Sequence, residues 1–325
     1  MGRVSGAAAA SVEVTPPSAW RRAGRWTLSL AVLAALGWLF RSHLDAPALV
    51  RALAGADYRL VLLCAAGHMV ILHPLKAWRF ALLLAPSRRI GVRTLYDYDL
   101  AGCAANNVLP ARGGQALRVL LVRRHGVPVT AGVGAVLLEE ILNTCALVLL
   151  SLPLPFVLQL PGRTRAVLAL VASGAFLGLG LALWLAITGD ARRGLLGRLA
   201  EGVALLRDRR AAALAFAQTL VVWALDAAQI VLLMVALGLP ATWTGATLVL
   251  LFVNLANAVP VTPGQLGLFE AGAAAAAVAV GVSPERGLAL GVLYHMMQVI
   301  PETAWGGLVL ARASLGRSPR TGGAS

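Results

Sequence analysis

Uncharged stretches constrain the fold of this chain more than any other feature of its sequence. Residues 227–269 contain no acidic or basic side chain, and neither do residues 166–189. About 20 apolar residues in a helix cross the hydrocarbon core of a bilayer. Hydrophobic residues form 59% of the chain, charged residues form 13%, and the mean hydropathy is +0.79, which is more apolar than a soluble core can bury. The sequence therefore predicts an all-α, polytopic helical membrane protein.

Six apolar runs predict transmembrane helices. They comprise residues 26–40, 58–84, 128–152, 166–188, 211–239 and 287–310. We expect residues 21–311 to form the membrane domain. Residues 1–20 are rich in Ala, Gly, Ser and Pro, which predicts a disordered cytoplasmic tail, and residues 312–325 are predicted to form a basic cytoplasmic tail.

Residues 190–210, between the fourth and fifth runs, have the pattern of an amphipathic helix. Apolar residues recur at spacings of three and four, and arginines lie elsewhere around the helix. The apolar positions are Leu196, Leu199, Val203 and Leu206. We predict a helix that lies in the cytoplasmic interface of the membrane.

The arginines favour one orientation of these helices. Most of them lie in the two tails, near residues 88–93 and 118–124, and in residues 190–210, which share one side of a six-span topology. The positive-inside rule then predicts a multi-pass protein of the cell membrane with both termini in the cytoplasm. The net charge is +14, and no aromatic residues alternate with the arginines, so we expect anionic membrane lipids as partners and not nucleic acid.

Two segments contain asparagine, proline and glycine residues that would interrupt a continuous transmembrane helix. Residues 92–125 break at Asn106–Pro110, which Gly113 and Gly114 follow, and residues 241–283 break at Asn257 and again over residues 260–264. Each segment is predicted to be a re-entrant helical hairpin, which enters and leaves the membrane on the same side. Irregular backbone at that depth is tolerated where it is buried in protein or lines a wet cavity.

The two breaks share the spacing N-x-x-P-x-x-x-G-Q, and a Gly-Val step before a proline and then a span follow each of them. The matched residues are Asn107, Pro110, Gly114 and Gln115 in the first break and Asn257, Pro260, Gly264 and Gln265 in the second. We interpret residues 92–152 and 241–311 as two repeats. Three predicted crossings separate the hairpins, so the repeats are inverted, and the half-helix ends should meet near the membrane midplane around a substrate.

The breaks resemble the signatures of the lysylphosphatidylglycerol synthase transmembrane region, a flippase-like membrane family. Residues 106–118 are similar to N-x-L-P-x-R-x-G-E-x-x-R, and residues 259–270 are similar to P-x-x-P-G-G-x-G-x-x-E. The chain departs from the family pattern at four positions. The family often has an acid where this chain has Gln115, and Arg where it has Glu140. It often has Asp at the position of Asn143 and Arg at the position of His295. The resemblance implies lipid translocation by a stand-alone membrane domain, and we expect no aminoacylation by this chain alone.

The candidate substrate-binding residues surround the two breaks. They are Asn107, Pro110, Arg112, Gly114, Gln115, Arg118, Glu139, Glu140, Asn257, Pro260, Gly264, Gly267, Glu270 and His295. Two roles are open for Arg112 and Arg118. Their guanidinium groups could bind a lipid phosphate, or they could pair with Asp97, Asp99 or Glu139 to hold the first hairpin together.

The acidic residues within predicted membrane segments also leave alternatives open. Glu139 and Glu140 point about 100° apart on a helix, so we expect only one of them to face the arginines. Glu270 could carry a proton, or it could accept a hydrogen bond from an amide of the broken helix. Asp226 and Glu302 are expected to line the cavity.

The histidines and cysteines predict no metal site. The five histidines are scattered along the chain, and Cys64, Cys103 and Cys145 lack the spacing of zinc or redox motifs. We therefore expect no metal or other cofactor, and we interpret His68 and His73 as structural. His295 could line the cavity or be a core histidine.

These features together predict an integral membrane lipid translocator that moves a polar-headed, phosphate-containing lipid. No catalytic residues are predicted. Two alternatives are a membrane-embedded lipid-modifying enzyme and a non-catalytic partner subunit of a lipid or glycan synthase. The enzyme would need a carboxylate or metal cluster that the sequence pattern does not reveal.

Overall fold

The structure is a computed structural model, and it describes residues 45–108, 113–158, 162–188, 202–258 and 262–315. These residues form helices and no strand, which confirms the all-α prediction. We number the helices as follows: α1 (Ala46–Ala54), α2 (Tyr58–Leu84), α3 (Val92–Val108), α4 (Gly113–Arg123), α5 (Val129–Ser151), α6 (Gly162–Thr188), α7 (Arg209–Ala236), α8 (Trp243–Asn257), α9 (Leu268–Ala279) and α10 (Pro284–Leu315). The predicted span at residues 26–40 and the tail at residues 1–20 lie outside the described residues.

Five described helices correspond to the predicted spans. Helices α2 and α7, and α5 with its continuation to Val157, are long and apolar enough to cross a membrane. Helices α6 and α10 contain 27 and 32 residues. Helix α7 begins at Arg209 because the Asp208 carboxylate accepts hydrogen bonds from the backbone N–H groups of Arg210 and Ala211, at 2.9 and 3.2 Å.

The described part of the predicted interfacial helix differs from the prediction. Residues 189–201 lie outside the described residues, but the chain turns at Val203 and forms a short 3-10 helix at Ala204–Arg207 before α7 begins. Val203 and Leu205 are buried in the protein, and Gly202 packs directly on the backbone of α5 at Gly134. The described residues therefore do not continue one helix to residue 210, because this end of the segment packs against α5, and the place of residues 190–210 at the membrane interface stays a prediction.

Helices α3 and α4 pack antiparallel as the first predicted hairpin requires, and its re-entry into the membrane stays a prediction. The backbone N–H of Gly114 donates a 2.7 Å hydrogen bond to Asn106 Oδ1, which joins the two sides of the break. A Cβ atom on Gly114 would collide with the carbonyl oxygen of Gly102 on α3. Glycine at these positions therefore lets the two half-helices approach backbone to backbone.

The second hairpin, α8 and α9, turns through residues that adopt left-handed backbone conformations. Gly264 has φ 57°, Gln265 has φ 60° and Gly267 has φ 83°. Glycine adopts such conformations without steric cost, whereas Gln265 does so only because the turn constrains it. Gly272 on α9 then packs against the backbone of Phe252 on α8.

The turn of the second hairpin contacts the end of α3, next to the first break. A Cβ atom on Gly264 would lie 3.1 Å from the carbonyl oxygen of Asn107. The Asn107 side chain also donates a 2.9 Å hydrogen bond to Thr303 on α10. Gly126 and Gly281, which precede the spans of the two repeats, both have φ 83°. The structure thus supports two matching repeats, and their opposite sidedness stays a prediction.

Candidate functional site

A cavity of about 660 Å³ lies between the first hairpin and helices α2, α5, α7 and α8. Its polar lining consists of Lys76, Arg79, Asp99, Cys103, Gln115, Arg118, Glu139, Glu140, Asn143, Thr144, Asp226 and Asn254. Its apolar lining consists of Leu147, Val148, Val222, Trp223, Leu251, Leu255 and Ala258. Ionisable groups thus come mainly from α2, α3, α4 and α5, and most of the apolar surface comes from α5, α7 and α8.

Only part of the predicted substrate site lies at this cavity. Gln115, Arg118, Glu139 and Glu140 line it. Pro110, Arg112 and Pro260 lie outside the described residues. The other predicted residues do not line it: Asn107, Gly114, Asn257, Gly264 and Gly267 lie in or beside the two turns, and Glu270 and His295 form a separate pair. Among the described residues, the second hairpin lines the cavity through α8 and not through its turn, which contacts Asn107, and the substrate-binding role of these residues stays a prediction.

Glu139 connects two buried arginines from different helices. Its Oε1 accepts a 2.9 Å hydrogen bond from Arg79 Nη2, and its Oε2 accepts a 2.9 Å hydrogen bond from Arg118 Nη1. All three residues are at most 5% exposed. The expectation that one of the adjacent glutamates faces the arginines is confirmed, whereas Glu140 accepts a hydrogen bond from Gln115.

Arg118 is held in place from several directions but retains hydrogen-bonding capacity. Gly102 leaves room for its side chain, and its guanidinium lies 4.2 Å from the centre of the Phe80 ring. Its Nε lies 3.5 Å from Asp99 Oδ1 without hydrogen-bond geometry, and its Nη2 has no partner among the described residues. The structural pairing proposed for Arg118 is thus present, and its buried Nη2 is left with hydrogen-bonding capacity that no described residue uses.

Lys76 and Arg79 are functional candidates that sequence reasoning did not select. Arg79 also donates hydrogen bonds to Asn143 Oδ1 and Thr219 Oγ1, at 2.8 and 3.1 Å. The half-buried Lys76 reaches the cavity, and its ammonium forms no hydrogen bond or ion pair within 4 Å to any described residue. A cationic residue inside a predicted span is expensive in lipid, and that cost was the signal that could have identified both residues.

A second buried cluster lies behind the cavity, where α2 departs from α-helical geometry. Residues His68–Leu72 form a π-helical segment, in which the N–H of His73 bonds the carbonyl of His68. In an α-helix, residues five apart point about 140° from each other, whereas the π-helical hydrogen bond stacks them on one face. The two imidazoles therefore reach the same partner, and their Nε2 atoms lie 3.2 and 3.1 Å from Oε1 of Glu302 on α10.

The outer nitrogens of both imidazoles are also held. His73 Nδ1 lies 2.8 Å from Asp99 Oδ2, and His68 Nδ1 lies 3.3 Å from Gln229 Oε1. Three sequence-based expectations need correction. His68 and His73 are not scattered, because the π-helical segment brings them together, and with Glu302 they present three potential metal-ligand atoms within 4.8 Å of one another. Glu302 does not line the cavity but lies behind it, whereas Asp226 does line it.

Glu270 and His295 form a pair in the second repeat. Glu270 Oε2 accepts a 2.7 Å hydrogen bond from the backbone N–H of Gly267. This N–H stands at the start of α9, where backbone donors have no carbonyl partner within the helix. Its Oε1 lies 2.6 Å from His295 Nδ1, and the Phe269 ring stacks on His295 with centroids 4.2 Å apart. The hydrogen bond expected between Glu270 and an amide of the broken helix is confirmed. Of the two alternatives for His295, the structure supports a buried core histidine and not a residue that lines the cavity.

Comparison with known families relates this architecture to one family. The family model described as the lysylphosphatidylglycerol synthase TM region matches residues 26–306, which include every helix from α1 to α9 and most of α10. The chain belongs to this family. The lysylphosphatidylglycerol synthase TM region is thus the membrane domain in which the cavity and the histidine cluster lie. In the same comparisons, no curated protein and no solved structure matches the chain.

Membership in this family relates the protein to lipid modification or translocation. The cavity fits such a role because both charged and apolar side chains line it, so a ligand with a polar part and an apolar part can contact both kinds of side chain.

Proposed function

We propose that this protein translocates a phosphate-containing anionic lipid across the cell membrane, with both of its own termini in the cytoplasm. The observation that carries the proposal is a cavity lined both by apolar side chains and by Lys76, whose ammonium forms no ion pair with any described residue. A lipid phosphate would bind Lys76 and the free donors of Arg118. Leu147, Val148 and Leu251 would contact the first part of its acyl chains.

The ion network explains how such a site persists inside a membrane. Glu139 neutralises one of the charges of Arg79 and Arg118, so the two arginines are supported without a ligand. Lys76 lies near Asp99, Asp226 and Glu302, which offset its charge without direct contact. The cavity can therefore be empty or occupied without leaving a bare cation in lipid.

The two hairpins supply the structural basis for movement across the membrane. Helices that end inside the membrane leave unpaired backbone groups and dipoles at the break, which a passing headgroup can use. In this proposal, the headgroup passes the point where the turns at Asn107 and Gly264 meet, and the acyl chains stay in the lipid.

Reconstituted vesicles test the proposal. The purified protein would be inserted into phosphatidylcholine vesicles that contain a minor fraction of fluorophore-labelled phosphatidylglycerol, and a membrane-impermeant quencher would report lipid exchange between leaflets. We expect faster exchange than in empty vesicles. In K76Q, we expect exchange at subsaturating lipid to fall by roughly 10- to 100-fold, because a charge-assisted contact is worth about 1.5–3 kcal/mol.

The matched control is R89Q, which removes a cation from an exposed position outside the cavity. It should exchange lipid at the wild-type rate. Equal rates in wild-type and empty vesicles would contradict translocation. In that case, a chemical change in the lipid headgroup would favour an enzyme, and co-purification of a soluble synthase would favour a partner subunit.

A further inference from the structure

We propose that His68, His73 and Glu302 form a proton-binding site through which this protein couples lipid movement to proton movement. This inference rests on the proposed translocation, and it assigns a role to the cluster behind the cavity. The cluster has no exposed surface to explain its polarity, because His68, His73 and Glu302 are 1%, 0% and 8% exposed. Buried Glu and His chains within membrane spans typically carry protons.

Hydrogen-bond donors around the cluster fix the orientation of both rings. Gln229 Nε2 donates to the carbonyl of Cys64 at 3.3 Å, so its Oε1 is the atom that faces His68 Nδ1. The carboxylate of Asp99 faces His73 Nδ1. Because both facing atoms are acceptors, both Nδ1 atoms must carry hydrogen.

A neutral imidazole with hydrogen on Nδ1 has a bare lone pair on Nε2. The Nε2 atoms of His68 and His73 both face one carboxylate oxygen, Glu302 Oε1, at 3.2 and 3.1 Å. Three acceptors would then converge without a donor, which is costly in a buried site. The geometry therefore requires a cation between these atoms, and a proton shared between Glu302 Oε1 and a histidine Nε2 supplies it.

The surrounding charges favour one proton over a divalent metal ion. Titratable groups of six helices act on the cluster directly, through Asp99, or through the ion pairs of Glu139. They are Lys76 and Arg79 on α2; Tyr96, Asp99 and Cys103 on α3; Arg118 on α4; Glu139 on α5; Asp226 on α7; and Tyr294 on α10. With Glu302, this described set holds three cations and four carboxylates. One proton neutralises it, whereas a divalent ion would leave a net positive charge.

Asp99 connects the proton site to the cavity. It contacts His73 on one side and lies 3.5 Å from Arg118 Nε on the other, and Asp99, Lys76 and Arg118 all line the cavity. An added proton makes the potential at the cavity more positive, so proton binding and anionic lipid binding should strengthen each other. Such linkage is reciprocal, so lipid binding should draw about one proton into the site.

Two measurements test the coupling separately from translocation. In weakly buffered detergent, a pH indicator would record proton uptake when short-chain phosphatidylglycerol is added, and Trp223 fluorescence would record lipid binding at the cavity. At a pH where the empty site has lost its proton, we expect uptake of about one proton per bound lipid, and the lipid Kd should rise about tenfold per pH unit in this range. In vesicles, an imposed pH gradient should drive net movement of labelled lipid.

The variants E302Q and H73Q should bind lipid without proton uptake and lose the response to the gradient. Two variants serve as controls. H295Q removes a buried imidazole that pairs with a glutamate away from the cavity, and H125Q removes an exposed imidazole. Both controls should keep the wild-type ratio of lipid movement with and without the gradient. If H295Q does not fold, H125Q alone gives this comparison.

The outcomes distinguish the two proposals. Lipid exchange without proton uptake or gradient response would overturn the coupling and leave translocation intact. Binding with proton uptake but no exchange would overturn translocation and leave the proton site intact. If lipid does not bind at all, both proposals are wrong. Stoichiometric binding of Zn²⁺ that E302Q abolishes would show a metal site and overturn the assignment to a proton.

Discussion

At the scale of single residues, buried charge is the feature that most distinguishes this protein. Arg79, Arg118, Glu139, Asp99 and Glu302 are each at most 8% exposed, and each contacts an opposite charge or a histidine. Desolvation of such groups can cost as much as their attraction returns, so they contribute less to stability than to position. Their arrangement leaves the Lys76 ammonium and some donors of Arg118 beside the cavity without a partner among the described residues.

The Glu139 carboxylate gives a prediction at this scale. The substitution E139Q should lower the free energy of unfolding by about 3–5 kcal/mol, because it removes the anion that the two buried arginines share. Unfolding in mixed detergent, followed by far-UV circular dichroism, measures this change. The control E285Q alters an exposed glutamate at the start of α10 and should change stability by less than about 0.5 kcal/mol. Equal stability of the two variants would show that Arg79 and Arg118 do not depend on Glu139.

Residue patterns in the sequence anticipated part of this site. The pairing of Glu139 with Arg118 and the hydrogen bond of Glu270 to a broken-helix amide followed from charge in apolar surroundings. Arg79 did not follow, because a basic residue within a span can also extend to the interface, and only the fold shows that it faces α5 and α7. The sequence likewise could not select Lys76 as a ligand-binding residue, because this role depends on which acidic side chains the fold keeps more than 4 Å from its ammonium.

At the scale of helices, α2 combines two geometries in one span. Its π-helical segment, His68–Leu72, places five residues where an α-helical turn would place about four. Hydrophobic periodicity cannot reveal such a segment, because apolar residues surround it on all sides of the helix. The histidine cluster was unpredictable for the same reason, since positions five apart in an α-helix face different directions.

Deletion of one residue from this segment tests its geometry. Removal of Val70, which is 73% exposed, should convert the π-helical segment to an α-helix and leave His68 and His73 four apart on one face. We expect this variant to fold and to retain proton uptake. Deletion of Leu75, in the α-helical part of α2, should rotate His68 and His73 away from Lys76 and Arg79 and abolish proton uptake. Thermal unfolding and the pH-indicator measurement separate the two deletions, and equal damage by both would contradict this geometry.

At the scale of the whole molecule, the two repeats meet at their turns and are completed by α10. The N-x-x-P-x-x-x-G-Q spacing predicted this meeting, and the close approach of Gly264 to Asn107 agrees with it. The sequence did not show that the cavity would lie to one side, between the first hairpin and α8, because that asymmetry depends on how α2 and α7 pack between the repeats. Translocation requires this central contact to open.

A reversible cross-link tests whether it opens. In a variant with Cys64, Cys103 and Cys145 replaced by alanine, N107C and T303C would introduce a disulfide where the two side chains are now 2.9 Å apart. We expect oxidation to reduce lipid exchange in vesicles to the level of empty vesicles, and reduction to restore it. Undiminished exchange by the oxidised protein would show that the headgroup passes without separation of Asn107 from α10.

The distance along the chain between Glu302 and its partners also has a consequence for biosynthesis. Asp99, His73 and Arg118 leave the ribosome long before Glu302 and Thr303, which complete their surroundings from α10. Until α10 is made, His73 lacks one of its two anionic partners, and Asn107 lacks Thr303. The first hairpin therefore reaches its native contacts well after its own synthesis, when α10 packs against it.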